Sequence, residues 1–227
     1  SGADVNVVGA PFVKINADGL FAARVTDPAP ATILRGAATV LIGGPTFPFD
    51  VTRNPDGTLQ VGDNMVIDGD AEFQSKTLAA LSEIASTPTG LGLLQSIDGG
   101  SKTVRIVPTT GGNECAFDGP GAFYMTGPLP LIGAIPGSGT DTTVSFNPDR
   151  TTIGANPWNT RPPAIGLAHE LIHAEQAGKG VTLEGQDNND GLADPSNPGG
   201  FAQQNKLELQ TAGIPPYDDY PYNENKI

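Results

Sequence analysis

Ala168-His169-Glu170-Leu171-Ile172-His173-Ala174 contains both histidines of the chain, four residues apart. On an α-helix that spacing sets the two imidazoles one turn apart on the same face. Both can then reach one metal ion, with Glu170 beside them in reach of a water held at the metal. Ile165, Leu167, Ala168, Leu171, Ile172 and Ala174 make the same helix apolar on most sides. A buried helix has little reason to carry two histidines and a glutamate unless something binds them. The stretch reads as a zinc-hydrolase site.

The helix is predicted to begin near Pro162-Pro163, since proline is accepted in a first turn where its missing N–H costs nothing. It is predicted to end at Ala177, with Gly178 as the left-handed cap and 180–200 as a long polar loop. A catalytic zinc usually has three protein ligands and leaves the fourth position to water. With no third histidine and Cys115 far upstream, the third ligand should be a carboxylate. The downstream candidates are Glu175, Glu184, Asp187, Asp190, Asp194, Glu208, Asp218, Asp219 and Glu224. Glu175 lies about 200° round the helix from the metal face. Glu208 is favoured because Phe201 to Ala212 reads as a short helix closed by Gly213, and a helix holds a ligand better than a loop. Glu224 and Glu184 stay open at this level. Tyr217, Tyr220 and Tyr222 are candidates for a donor to the developing oxyanion.

Upstream, Asp70 to Ala85 has a helical pattern in Phe73, Leu78, Leu81 and Ile84, closed by Thr87-Pro88-Thr89-Gly90 and followed by a second short helix, Leu91 to Ile97. Val104 to Val107, Ala122 to Met125 and Thr143 to Phe146 read as strands. Thr142 to Asn147, just before the metal helix, is either the sheet edge that receives an extended substrate or a core strand without that role. Asp50 to Asp63 is a turn-rich junction, and the first fifty residues carry a weak repeat, Gly9 to Asn16 returning as Gly36 to Gly43, which predicts a small all-β segment.

Thirty glycines and 21 prolines among 227 residues point to many turns, and the expected class is α+β. The formal charge of −13 excludes nucleic acid as the expected substrate. One cysteine rules out an internal disulfide, and no run approaches the roughly 18 apolar residues of a membrane span. The N-terminus lacks the layout of a signal peptide, so export would need another carrier.

Two resemblances add to this reading. Val13-Lys14-Ile15-Asn16, Phe21 to Asp27 and Gly36 to Gly44 resemble part of a PAAR-repeat domain, the tip of type VI secretion spikes. Phe21 stands where that family's proline belongs, and no histidine is available for the tip zinc. From Val66-Ile67-Asp68-Gly69-Asp70 through Phe146-Asn147-Pro148 and the histidine motif to Glu208-Leu209-Gln210-Thr211-Ala212-Gly213 and Asn223-Glu224-Asn225, the chain is similar to bacterial effector zinc metallopeptidases. That family is shared by type III effectors and type VI toxin domains. The resemblance implies a zincin-like domain over 61–227 after a PAAR-like segment over 1–60. It implies Zn2+ held by His169, His173 and Glu208, with Glu170 as base. Leu207 departs from the family, whose members often have a polar residue there, and Glu224 matches a further family element.

The function expected is a zinc endopeptidase toxin acting on a protein or peptide. Its expected delivery is by a type VI spike protein into a target cell, with the periplasm favoured over the cytoplasm and an immunity protein as a further partner. The alternatives are a spike-associated binding module with a structural metal and a zinc amidase acting on cell-wall peptides.

Overall fold

Period-two burial builds the central sheet. In a computed structural model that describes residues 47–125, 134–152, 160–193 and 201–227 together with three short upstream strands, those strands are β1 (Asp4–Val5), β2 (Val13–Ile15) and β3 (Phe21–Ala23), and they form an antiparallel sheet. The second copy of the repeat, Gly36 to Gly43, lies outside the described residues, as does Asp194.

The large sheet begins with β4 (Val51–Arg53), β5 (Leu59–Val61) and β6 (Met65–Ile67), joined antiparallel. Asp50 to Asp63, expected as a junction, is thus a hairpin of this sheet, and the core it enters starts at Phe47. The Asn54 to Gly57 turn chemistry is real, but it connects paired strands whose inward residues, Val51, Leu59 and Val61, are fully or almost fully buried.

Helix α1 (Ala71–Ala85) follows, its first turn capped by the Asp70 carboxylate, which accepts from the Phe73 N–H at 2.8 Å. Helix α2 (Pro88–Asp98) starts earlier than expected. Thr87 caps it by accepting from the Gly90 N–H at 3.0 Å, and Pro88 sits in its first turn, so the turn residues that close α1 also open α2. This pair crosses over to β7 (Val104–Pro108), which runs parallel to β6.

Next comes β8 (Glu114–Phe117), a strand the sequence reading missed, and then β9 (Thr142–Phe146). The sheet order is β4-β5-β6-β7-β9-β8. Strand β9 is therefore interior, hydrogen-bonded to β7 on one side and β8 on the other, and both of its edges are used. Of the two readings of Thr142 to Asn147, the core strand holds, and β8 is the terminal strand of the sheet on that side. Of the expected strand from Ala122 to Met125, only isolated bridges to Thr182 and Ile135 form, after a 3-10 turn over Pro120–Ala122.

Met65, Ile67, Val104, Ile106, Val144 and Phe146 share one sheet face and join α1, α2 and α3 (Pro163–Lys179) in one core. Helix α3 is buried along most of its length, including Leu167, Ala168, Leu171, Ile172 and Ala177. It runs two residues beyond the expected stop. Gly180, not Gly178, takes the left-handed conformation (φ 69°), and its N–H reaches the Ala177 carbonyl while the Val181 N–H reaches that of Gln176.

The expected loop after α3 contains β10 (Gln186–Ala193), paired antiparallel with β11 (Phe201–Asn205). The predicted helix from Phe201 is strand first and becomes α4 only at Lys206–Ala212, closed by Gly213. The chain as described ends in a 3-10 turn, Glu224–Lys226. The class is α+β, as expected from composition. Among the described residues no helix is long and apolar enough to cross a membrane.

A Cβ at Gly180 would be strained by the positive φ and would lie 2.4 Å from the Gly137 carbonyl oxygen. Gly180→Ala is expected to destabilise the fold by at least about 1–2 kcal/mol, read as a lower urea midpoint at unchanged slope.

Candidate metal centre

His169 and His173 project from the same face of α3 because they are one turn apart. Their Nε2 atoms lie 3.0 Å from each other, with the rings edge to face at 86°. The first turn of α4 lays the Glu208 carboxylate against both, with Oε2 3.0 Å from His169 Nε2 and Oε1 3.3 Å from His173 Nε2. A tetrahedral zinc with ligand distances of 2.0–2.1 Å requires its ligand atoms to be separated by about 3.3 Å. The spacing of the two ring nitrogens and the shortest approach of the Glu208 carboxylate to each are close to that value, so the donor set fits a zinc ion in both chemistry and size. Among the described residues this is the group that could hold a metal.

The opposite ring nitrogens are backed. Thr211 Oγ1, one turn after Glu208 on α4, lies 3.1 Å from His173 Nδ1. Glu224 Oε1 lies 3.1 Å from the buried His169 Nδ1, at an angle poor for a hydrogen bond, and also pairs with Arg161. Glu224 therefore sits behind a ligand histidine, where a carboxylate orients the ring and strengthens it as a donor to a metal. Glu208, facing both Nε2 atoms, completes the group of three that could hold a metal ion. Sequence reasoning favoured Glu208 and left Glu224 open, because the nitrogen each one faces depends on how the chain returns. The spacing from Glu208 to Thr211, three residues within one helix, was the available signal for the Thr211 contact.

Glu170, also on α3, is buried on the side facing β8. An open cleft of about 290 Å³ exposes His169, His173 and Glu208 together with Glu170, Leu207 and the β8 wall of Asn113, Glu114, Cys115 and Phe117. Burial pushes the Glu170 carboxyl up, and the two histidines only partly offset this. The Cys115 thiol is also pushed up, first by burial and then by Glu170. Burial pulls the His169 ring down, yet its contacts with Glu208 and Glu224 outweigh this, and it is raised to about 9. Glu208 is held far below the ordinary carboxylate range by hydrogen bonds from His169 and His173.

The remaining candidates lie elsewhere. Glu175 accepts from Ser96 Oγ at 2.7 Å and Tyr220 OH at 2.5 Å and pairs with Lys179, on the far side of α3. Tyr220 is thereby committed to Glu175, Tyr217 donates to Asp187 at 2.6 Å, and the Tyr222 ring lies under Lys179. None of the three tyrosines lines the cleft, so the oxyanion role proposed for them is withdrawn. A larger concavity, about 360 Å³ and lined by Asp70, Lys76, Pro108 and Asp149 among others, is separate from the histidines.

A family model, Peptidase_M91, described as effector protein, matches residues 62–227. Among solved structures, the chain is similar to the botulinum neurotoxin serotype HA light chain, with a TM-score of 0.47 and 16% identity over 74% of this chain and 56% of that one. It is also similar to the botulinum neurotoxin type G light chain, with a TM-score of 0.41 and 17% identity over 99% of this chain and 64% of that one. The chain spans less than two thirds of the length of either light chain. No protein of curated function matches it.

In the metal-free protein the His169 contribution to stability is fully present below its ordinary value of 6.5 and is lost as pH rises through about 9. The urea midpoint of EDTA-treated protein is expected to fall across that interval. Zinc-loaded protein, whose imidazoles are already deprotonated, is expected to lack this fall.

Proposed function

The chain belongs to the Peptidase_M91 family of effector metallopeptidases, and from that premise we propose that it is a zinc endopeptidase acting as a secreted effector toxin, with His169, His173 and Glu208 as zinc ligands and Glu170 as general base. The observation that carries this reading is the convergence of three ligand atoms on one point with a buried carboxylate beside them in an open cleft. A structural zinc would normally have four protein ligands. The group found among the described residues has three, and the neighbouring Glu224 is turned to the far side of His169.

A zinc ion held by His169, His173 and Glu208 would supply Lewis acidity toward a scissile carbonyl and would lower the pKa of a water. Glu170 takes a proton from a water in the cleft and returns it to the leaving amine. Its burial suits it to this exchange, because a carboxyl raised toward neutrality both accepts and releases a proton readily. Thr211 and Glu224 keep the imidazoles turned toward the cleft. The substrate is an extended protein segment laid along β8, the sheet's edge on the cleft side.

The delivery route is type VI secretion into a target cell, with a spike protein as carrier, the periplasm as the favoured destination and an immunity protein as antagonist. Its support is the resemblance of residues 13–44 to PAAR repeats together with the effector family of residues 62–227.

Elemental analysis joined to bacterial growth tests the reading. Wild type is expected to hold one zinc per chain and His169→Ala to lose it. Glu170→Ala should keep zinc while losing roughly 10²- to 10⁴-fold in peptide hydrolysis, along with its toxicity when directed to the periplasm. Glu224→Gln should keep zinc with affinity weakened about 10- to 100-fold. A wild type without zinc, or a Glu170→Ala protein as toxic as wild type, overturns the proposal. Release of cell-wall peptides without cleavage of protein would turn the assignment to an amidase.

A further inference from the structure

Phe146-Asn147-Pro148 stands out in the sequence, and the zinc centre gives it no role. Its place in the fold supplies one. The β8 to β9 ladder ends at the pair Glu114 and Ser145, so the Asn147 N–H lies beyond the last rung. It donates to Asn113 Oδ1 at 2.9 Å, while the Asn147 side chain donates to the Gly111 carbonyl at 3.2 Å. A backbone N–H can only donate, so the Asn113 atom facing it must be the oxygen. This fixes the orientation of the carboxamide and sends its NH2 the other way.

That NH2 lies against α3 at Gly166, where an added Cβ would be only 2.7 Å from Asn113 Nδ2. Gly166 is three residues before His169 and four before Glu170, on the same helix face. Asn113 itself lines the cleft. Among the described residues its Nδ2 has no hydrogen-bond acceptor. The carboxamide is thus anchored through its oxygen, seated in a gap that only glycine leaves open, and presents an unused donor one helical turn from the catalytic base.

Resting on the peptidase reading above, we propose that Asn113 is a substrate-binding residue whose Nδ2–H donates to a backbone carbonyl of the bound peptide. One turn of helix is about 5.4 Å and one extended residue about 3.3 Å. The carbonyl it meets is therefore one or two residues from the bond that is cut. Asn113 immediately precedes the edge strand β8, so the same contact sets the register in which a peptide pairs with that edge. Gly166 and Asn147 are positioning residues that act through it.

The test uses zinc-loaded full chain and two probes: a peptide hydroxamate, which occupies the zinc and presents peptide carbonyls, and acetohydroxamate, which occupies the zinc alone. Asn113→Asp keeps an oxygen for the Asn147 N–H and removes the donor. Gly166→Ala keeps Asn113 and displaces its amide, at a position where alanine favours the helix. By calorimetry, each variant is expected to bind the peptide hydroxamate about tenfold more weakly than wild type, with acetohydroxamate affinity and zinc content unchanged. Combining the two changes should be no worse than Asn113→Asp alone, since both remove one contact. Peptide hydroxamate affinity unchanged in both variants, or equal weakening of both probes, overturns the assignment while leaving the peptidase reading in place. A wild type that binds acetohydroxamate and not the peptide hydroxamate overturns both.

Discussion

Two imidazole nitrogens held 3.0 Å apart on a buried helix are the constraint to which the rest of the molecule answers. If both lone pairs face inward, they repel unless a cation lies between them. If one nitrogen carries a proton, the ring is charged and needs an anion. Glu208 serves either case, and the separations it makes are close to those of a tetrahedral metal. Helix α4 carries both Glu208 and Thr211, so one short element meets the Nε2 atoms of both histidines and the Nδ1 of His173.

Holding those rings in place also fixes the rotation of α3 about its axis. The helix is apolar on most sides and could turn by tens of degrees at modest cost if only greasy contacts held it. Glu175 prevents this from the opposite face. Its carboxylate is almost wholly buried, which is costly for a charge unless its oxygens are satisfied. Ser96 from α2, Tyr220 from the C-terminal stretch and Lys179 from the next turn of α3 satisfy them. That network also ties down the stretch that delivers Glu224 to His169, so the two polar faces of one helix are coupled through the C-terminal residues.

What the sequence made legible was what repeats or caps locally. The His-Glu-x-x-His spacing, the Asp70 cap of α1, the alternation in β7 and β9 and the Gly213 stop of α4 each depend on residues a few positions apart. Strand β8 escaped because its four residues, Glu114 to Phe117, sit between glycines and aspartate with no apolar alternation, and because its partner β9 comes 25 or more positions later. With β8 missed, the sequence left β9 open as either edge or core strand, and it is the core strand. The β10 and β11 hairpin is rich in Asn, Gln and Asp and carries no hydrophobic period at all. The choice between Gly178 and Gly180 could not be made locally, since either could cap. The chain packing at Gly137, whose N–H bonds to the Gly180 carbonyl, selects the second.

Glu224 meets two needs that pull in opposite directions. As a carboxylate beside His169 Nδ1 it makes the ring a better ligand. It also pairs with Arg161, a guanidinium that lowers Glu170, though less than either histidine does. A carboxylate paired with that guanidinium offsets part of its charge, and with it part of its stabilisation of ionised Glu170. The uncharged carboxamide of Asn113 offers a hydrogen-bond donor at the same end of the cleft without that penalty. The arrangement separates charges: Glu208 faces the two histidines, Arg161 is paired with Glu224, and Asn113, which lines the same cleft as Glu170, is neutral.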